Sequence, residues 1–246
     1  MAGKTDRFCL AGRRCACFVP ADGVRGTAFL CGWNMEPMLP AIAEALPHTL
    51  LFFAEADGGR DFTPWPAPPV RPGDAFSGGG ADYLRFLTET AAPYLRAQYR
   101  APADPARRAV LGYSLGGLFA LWALCETDFF GCAASVSGSL WYPGFTPYLQ
   151  GRLPRPAQAV YLSLGDREPL GGPALMRTVG TATESAAALL RQNGRRVLLE
   201  WNCGGHVKGV ESRWKKAAAW AASALYGENG PAARKEDEHN ETADPV

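Results

Sequence analysis

Ala109-Val110-Leu111-Gly112-Tyr113-Ser114-Leu115-Gly116-Gly117, running straight into Leu118-Phe119-Ala120-Leu121-Trp122-Ala123-Leu124, reads as a strand, a tight turn and a helix. Ser114 sits at the centre of a G-x-S-x-G pattern, where flanking glycines let backbone pass close by and let a nucleophile occupy a strained turn. A serine hydroxyl attacks poorly unless it is lifted clear of the backbone, aimed, and given a base. Chance alone supplies about 0.1 such matches in a chain with this much Ser and Gly, so the context carries the reading. The run before the turn is apolar without turn residues. The helix after it is apolar on every side, as a helix buried against a sheet reads; Val110, Leu118, Leu121 and Trp122 are accordingly core.

Working outward, the 246 residues are 47% hydrophobic, enough for a sizeable core, and no linker divides them, which favours one domain over 1–226. Strands are expected at 7–10 and 13–19, joined by an Ala11-Gly12 turn, then at 26–31, 49–54, 108–113, 131–136, 157–164 and 196–201. Helices are expected at 38–46, 81–99, 115–126, 173–193 and 210–226. Strands alternating with helices predict an α/β fold: a mostly parallel sheet with helices on both faces, in three layers. The stretch 57–80 is a long Pro/Gly-rich loop carrying Phe62, Trp65 and Phe76, and loops of that length are commonly functional. Residues 227–246 are polar and charged and read as a disordered tail.

A formal net charge of +1 leaves no field to gather nucleic acid or anionic lipid. No apolar leader or membrane span is apparent, so a soluble, cytoplasmic protein is expected. The seven cysteines lie mostly in apolar contexts as reduced thiols. With His48, His206 and His239 as the only histidines, none at ligand spacing from paired cysteines, no metal is expected.

Among those histidines only His206, in the glycine turn Gly204-Gly205-His206 after the last strand, stands where a base for Ser114 belongs. The acid should follow the preceding strand. Glu168, three residues after Gly165, has the expected spacing, and Asp166 is the alternative, because the acid need only reach and orient the imidazole. The order serine, acid, histidine is that of the α/β-hydrolase fold. Two backbone N–H groups must face the developing oxyanion. Leu115 supplies one; Trp33 or Asn34, after the strand ending at Cys31, supplies the other. The bland reading of the Trp33 side chain itself is a plain core residue, with only its backbone at work. Trp65, Trp141 and Tyr142 are the expected substrate-binding aromatics.

Gly112-Tyr113-Ser114-Leu115-Gly116-Gly117, Asp61-Phe62-Thr63-Pro64-Trp65-Pro66, Ser137-Gly138-Ser139-Leu140-Trp141, Gly165-Asp166-Arg167-Glu168, and Trp201-Asn202 with Gly205-His206 together resemble the putative-esterase (esterase D-like, enterobactin-esterase-like) family of serine α/β hydrolases. The likeness covers about 26–226. It implies Ser114 as nucleophile and His206 as base of a carboxylic-ester hydrolase acting on a small molecule, without a cofactor. Acyl transfer, thioester or peptide cleavage on the same site is the alternative within enzymes. A non-catalytic ligand-binding protein of this fold is the alternative from another class. Oligomeric state is not legible.

Overall fold

The computed structural model describes residues 2–155 and 158–227. The chain opens with a hairpin, β1 (Gly3–Leu10) and β2 (Arg13–Pro20), followed by β3 (Gly26–Cys31), a short 3-10 turn and α1 (Leu39–Ala45). Next come β4 (Thr49–Ala54), the single turn α2 (Gly58–Asp61), and two two-residue strands, β5 (Pro66–Ala67) and β6 (Phe76–Ser77), paired with each other. A long helical element then runs as α3 (Gly80–Arg85), a π segment (Phe86–Ala91) and α4 (Ala92–Tyr99). The remainder alternates: β7 (Arg108–Tyr113), α5 (Leu115–Glu126), β8 (Cys132–Val136), α6 (Phe145–Gly151), β9 (Ala159–Gly165), α7 (Val179–Gln192), β10 (Arg196–Asn202) and α8 (Val210–Tyr226).

Eight strands form the main sheet in the order β1-β2-β4-β3-β7-β8-β9-β10. The first two pairings are antiparallel and all others parallel. Side chains alternate across a strand, so the sheet reads as two cores back to back. Val110 and Phe29 face α3 to α7 on one side; Ala109, Leu111, Ala28 and Leu30 face α1 and α8 on the other. This is the three-layer α/β-hydrolase arrangement. Because both faces are covered, the central strands are apolar at nearly every position.

The 57–80 stretch is more structured than a loop. The Asp57 carboxylate caps α2 by accepting the N–H groups of Gly59 and Arg60. Asp61, 2% exposed at its side chain, receives both guanidinium arms of Arg13 from the hairpin at 2.7 and 3.2 Å, the Arg60 Nε and the Asp57 N–H. Thr63 Oγ1 donates to Gly59 O and accepts from Gly78 N–H, closing the excursion on itself. The helix at 145–151, after an aromatic stretch, has no counterpart among the expected elements. The tail expected at 227–246 lies, from 228 on, outside the described residues, as does His239.

Candidate active site

β7 ends at Tyr113, and Ser114 adopts φ 58° and ψ −122°, a left-handed backbone that an L-residue enters only at a cost. The surroundings hold it there. Ser114 N–H donates to Val136 O at 3.1 Å, and Ser114 O accepts the N–H groups of Gly117, Leu118 and Ser139 at 2.9–3.1 Å. A Cβ at Gly112 would overlap the carbonyl of Gly116, and one at Gly116 would overlap the carbonyl of Cys31. Both glycines are therefore dictated by backbone packed against backbone. The second overlap also places the end of β3, and the turn that follows it, beside the start of α5.

His206 arrives from the glycine turn between β10 and α8. Its Nε2 lies 3.0 Å from Ser114 Oγ and its Nδ1 2.6 Å from Glu168 Oε2. Glu168 stands in the turn after β9, with a side chain 4% exposed, and its Oε1 accepts the Gly165 N–H at 2.8 Å and Arg213 Nη1 at 2.7 Å. Burial alone pushes the Glu168 carboxyl up, but the hydrogen bond and charge of His206, with donors from Gly165 and Ser137, outweigh it and hold the group below the ordinary carboxylate range. Asp166 goes elsewhere. Its Oδ1 accepts the Gly204 N–H at 2.7 Å and pins the histidine turn to the end of β9.

Arg213, on the first turns of α8, is almost wholly buried. Its Nη1 also donates to Ser137 Oγ at 2.7 Å and its Nη2 to Gly205 O at 2.9 Å, so one guanidinium ties the acid, the β8 turn and the histidine turn together. Tyr113 OH donates to the His206 carbonyl, and the two rings lie 5.4 Å apart. Ser139, buried, has its hydroxyl 3.4 Å from that of Ser114. Sequence reasoning did not pick out Arg213, yet a signal exists. Residues 213, 217, 221 and 225 share one face of α8, and the other three are the apolar Ala217, Ala221 and Leu225. A cation on a core stripe needs a buried anion.

A cleft of 390 Å³ opens over these groups, lined among others by Ser114, Ser139, Trp141, Glu168 and His206. Trp141 is therefore where an aromatic wall was expected; Trp65 and Tyr142 are not. Tyr142, 2% exposed, donates its hydroxyl to Trp65 O at 2.6 Å, and Trp65 Nε1 donates to Pro143 O at 2.8 Å. These two rings lock the 57–80 excursion to the segment before α6 because each carries a polar handle that must be satisfied when buried. They line no part of the cleft. Trp33 is also not a core residue: it is 91% exposed and lines a different depression, against the β1–β2 hairpin.

Residues 26–223 match the putative esterase family. The chain belongs to that family. A curated relative, the uncharacterized YbbA protein of Bacillus subtilis strain 168, is 28% identical over 155 residues, 61% of this chain; the match spans 62% of that protein's length. Solved structures of similar fold include an IroE-like serine hydrolase from Shewanella oneidensis (TM-score 0.74, 15% identity, 92% of this chain and 86% of that one). The siderophore hydrolase EstA from Aspergillus nidulans aligns with a TM-score of 0.69 at 16% identity over 89% of this chain and 93% of its own. The enterobactin esterase FES from Shigella flexneri, solved with enterobactin, aligns at 0.71 and 20% over 92% of this chain and 60% of its own. Among the described residues no helix is long and apolar enough to cross a membrane.

Proposed function

We propose that the chain hydrolyses carboxylic esters of small molecules through an acyl-enzyme on Ser114, with His206 as base and Glu168 as the acid that orients it. The observation that carries this reading is the unbroken relay from Ser114 Oγ to His206 Nε2 and from His206 Nδ1 to Glu168 Oε2, at 3.0 and 2.6 Å. Ser114 Oγ attacks the ester carbonyl as His206 Nε2 takes its proton; the imidazolium then passes that proton to the departing alkoxide. Water repeats the cycle on the acyl-serine and releases the acid.

The tetrahedral oxygen is held by the N–H of Leu115, the first residue of α5, where helix N–H groups have no intrahelical partner. The backbone N–H of Trp33 is the second donor in this proposal. It is supported by the close approach of the β3 end to Gly116. Arg213 acts as a positioning residue through Glu168. Residues 1–226 work as one domain, and no metal or organic group enters any step.

The test is intact-mass analysis after treatment with a fluorophosphonate probe, with parallel turnover of p-nitrophenyl acetate. A single adduct on the wild type, absent in Ser114→Ala and much slowed in His206→Ala, is expected, along with loss of several orders of magnitude in turnover in both variants. Equal turnover in Ser114→Ala would remove the mechanism. Ligand binding without adduct or turnover would favour a non-catalytic protein.

A further inference from the structure

The cleft carries a charge that the proposed reaction does not use. Its wall includes Arg71, from the 57–80 excursion, and Arg167, from the turn after β9. The one carboxylate among its lining residues is Glu168, whose oxygens are taken up by His206, Gly165 N–H and Arg213. Arg71 reaches across the opening: a Cβ built on Gly172, itself a lining residue, would stand 3.2 Å from Arg71 Nη2. Behind the same glycine, Arg177 Nη1 donates to the Gly172 carbonyl at 3.1 Å.

Among the described residues none of these three guanidinium groups is in an ion pair. The nearby acids are occupied by backbone. Asp74 Oδ2 accepts the N–H groups of Val70 and Arg71, and Asp166 Oδ1 accepts that of Gly204. Among the described residues the cleft wall thus presents two guanidinium groups, Arg71 and Arg167, that no carboxylate pairs. Guanidinium forks bind carboxylate or phosphate in pairs of charge-assisted hydrogen bonds, and like-charged clefts gather oppositely charged ligands. The other side of the cleft is apolar: Trp141, Met176, Val179 and Val207.

Resting on the esterase reading above, we infer that the preferred substrates are amphipathic esters bearing a carboxylate or comparable anionic group, which Arg71 and Arg167 engage while the apolar wall takes the hydrocarbon. The anion can sit on the acyl half or the alcohol half, and matched ester pairs separate these. The acyl pair is p-nitrophenyl hydrogen adipate against the same ester with its free carboxylate made a carboxamide. The alcohol pair is 4-carboxyphenyl butyrate against 4-carbamoylphenyl butyrate.

The readout is the ratio of kcat/KM within each pair, corrected for spontaneous hydrolysis; being a ratio, it is insensitive to the fraction of protein folded. The expected result is a preference of about tenfold or more for the anionic member of at least one pair at low salt. It should shrink as salt shortens the screening length from about 10 Å at 0.1 M to about 3 Å at 1 M. The ratio should fall toward one in Arg71→Gln and Arg167→Gln and below one in Arg71→Glu. Ratios near or below one in both wild-type pairs, or a preference that survives the Arg71→Gln/Arg167→Gln double variant, overturn the inference while ester hydrolysis itself stands. No turnover of any of the four esters overturns both.

Discussion

Under the proposed mechanism, replacing Glu168 by glutamine keeps the planar group but takes away the charge that would stabilise an imidazolium and fix its tautomer. A fall in kcat of about 10⁴ is expected by the logic of the serine triad, measurable in single turnover against wild type. Arg213 touches Glu168 and not Ser114 or the His206 ring, and its loss should separate positioning from simple stability. Arg213→Gln leaves the Glu168 carboxylate facing the imidazole without its counter-cation, so the imidazolium forms more readily. The acid limb of the kcat/KM profile should move to higher pH, with kcat lowered about 10²-fold by misplacement; Arg213→Lys should restore part of both. A merely structural role would leave the limb where it is. Ser114, His206 and Glu168 could be picked out in the sequence because each sits at a fixed offset from a glycine turn that a strand must end in. Arg213 could not, because nothing local distinguishes a buried guanidinium from the neighbouring exposed Lys215 and Lys216 except the face of α8 it occupies. Trp65 and Tyr142 misled for the converse reason: an aromatic in a loop fills a cleft or staples two loops together, and only the partner of its polar atom tells which.

At the scale of elements, the nucleophile turn is a lock between β7 and α5. Gly116→Ala sets a methyl group into the Cys31 carbonyl, where no side chain can give way, and should destabilise the chain by about 3 kcal/mol or more. Urea unfolding monitored alongside fluorophosphonate labelling should lose both together. Much of this level was readable. The strands Gly26–Cys31, Thr49–Ala54 and Arg108–Tyr113 and the helices Leu115–Glu126 and Val210–Tyr226 coincide with their sequence-based bounds, because buried parallel strands and their covering helices show long apolar runs between sharp breakers. The sheet order does not appear in any local pattern. α2, β5 and β6 escaped notice because they are too short for periodicity to register, and α6, as long as α1, because it follows directly on an aromatic stretch that reads as loop. They are set by contacts across the chain, such as Thr63 with Gly78.

At the scale of the whole molecule, the 57–80 excursion is fastened at two distant points, to the hairpin by Asp61 with Arg13 and to the α6 approach by Trp65 with Tyr142. Asp61→Asn removes a buried charge from under two guanidinium groups and should cost about 3 kcal/mol, seen as a drop in Tm of roughly 10 °C. Burial pushes the Asp61 carboxyl up, but Arg13, Arg60 and the Asp57 N–H outweigh it and hold it below its ordinary value. Both Asp61 and Glu168 therefore contribute stability that is fully present above the ordinary carboxylate range and is lost as pH falls through their lowered folded values. The stability gap between wild type and Asp61→Asn should accordingly narrow below about pH 4, as pH-dependent denaturant titrations would record.

The counter-cation of Glu168 comes from α8, while Ser114 and Glu168 stand in the turns that follow β7 and β9. A chain is synthesised from its amino end at about 5–20 residues per second. A nascent chain already holding Ser114 and Glu168 has neither the imidazole nor the guanidinium that unite them until the last helix has left the ribosome and docked. Under the proposed mechanism, Ser114 therefore lacks its base, and Glu168 its counter-cation, until the chain has been made through α8 and that helix has docked.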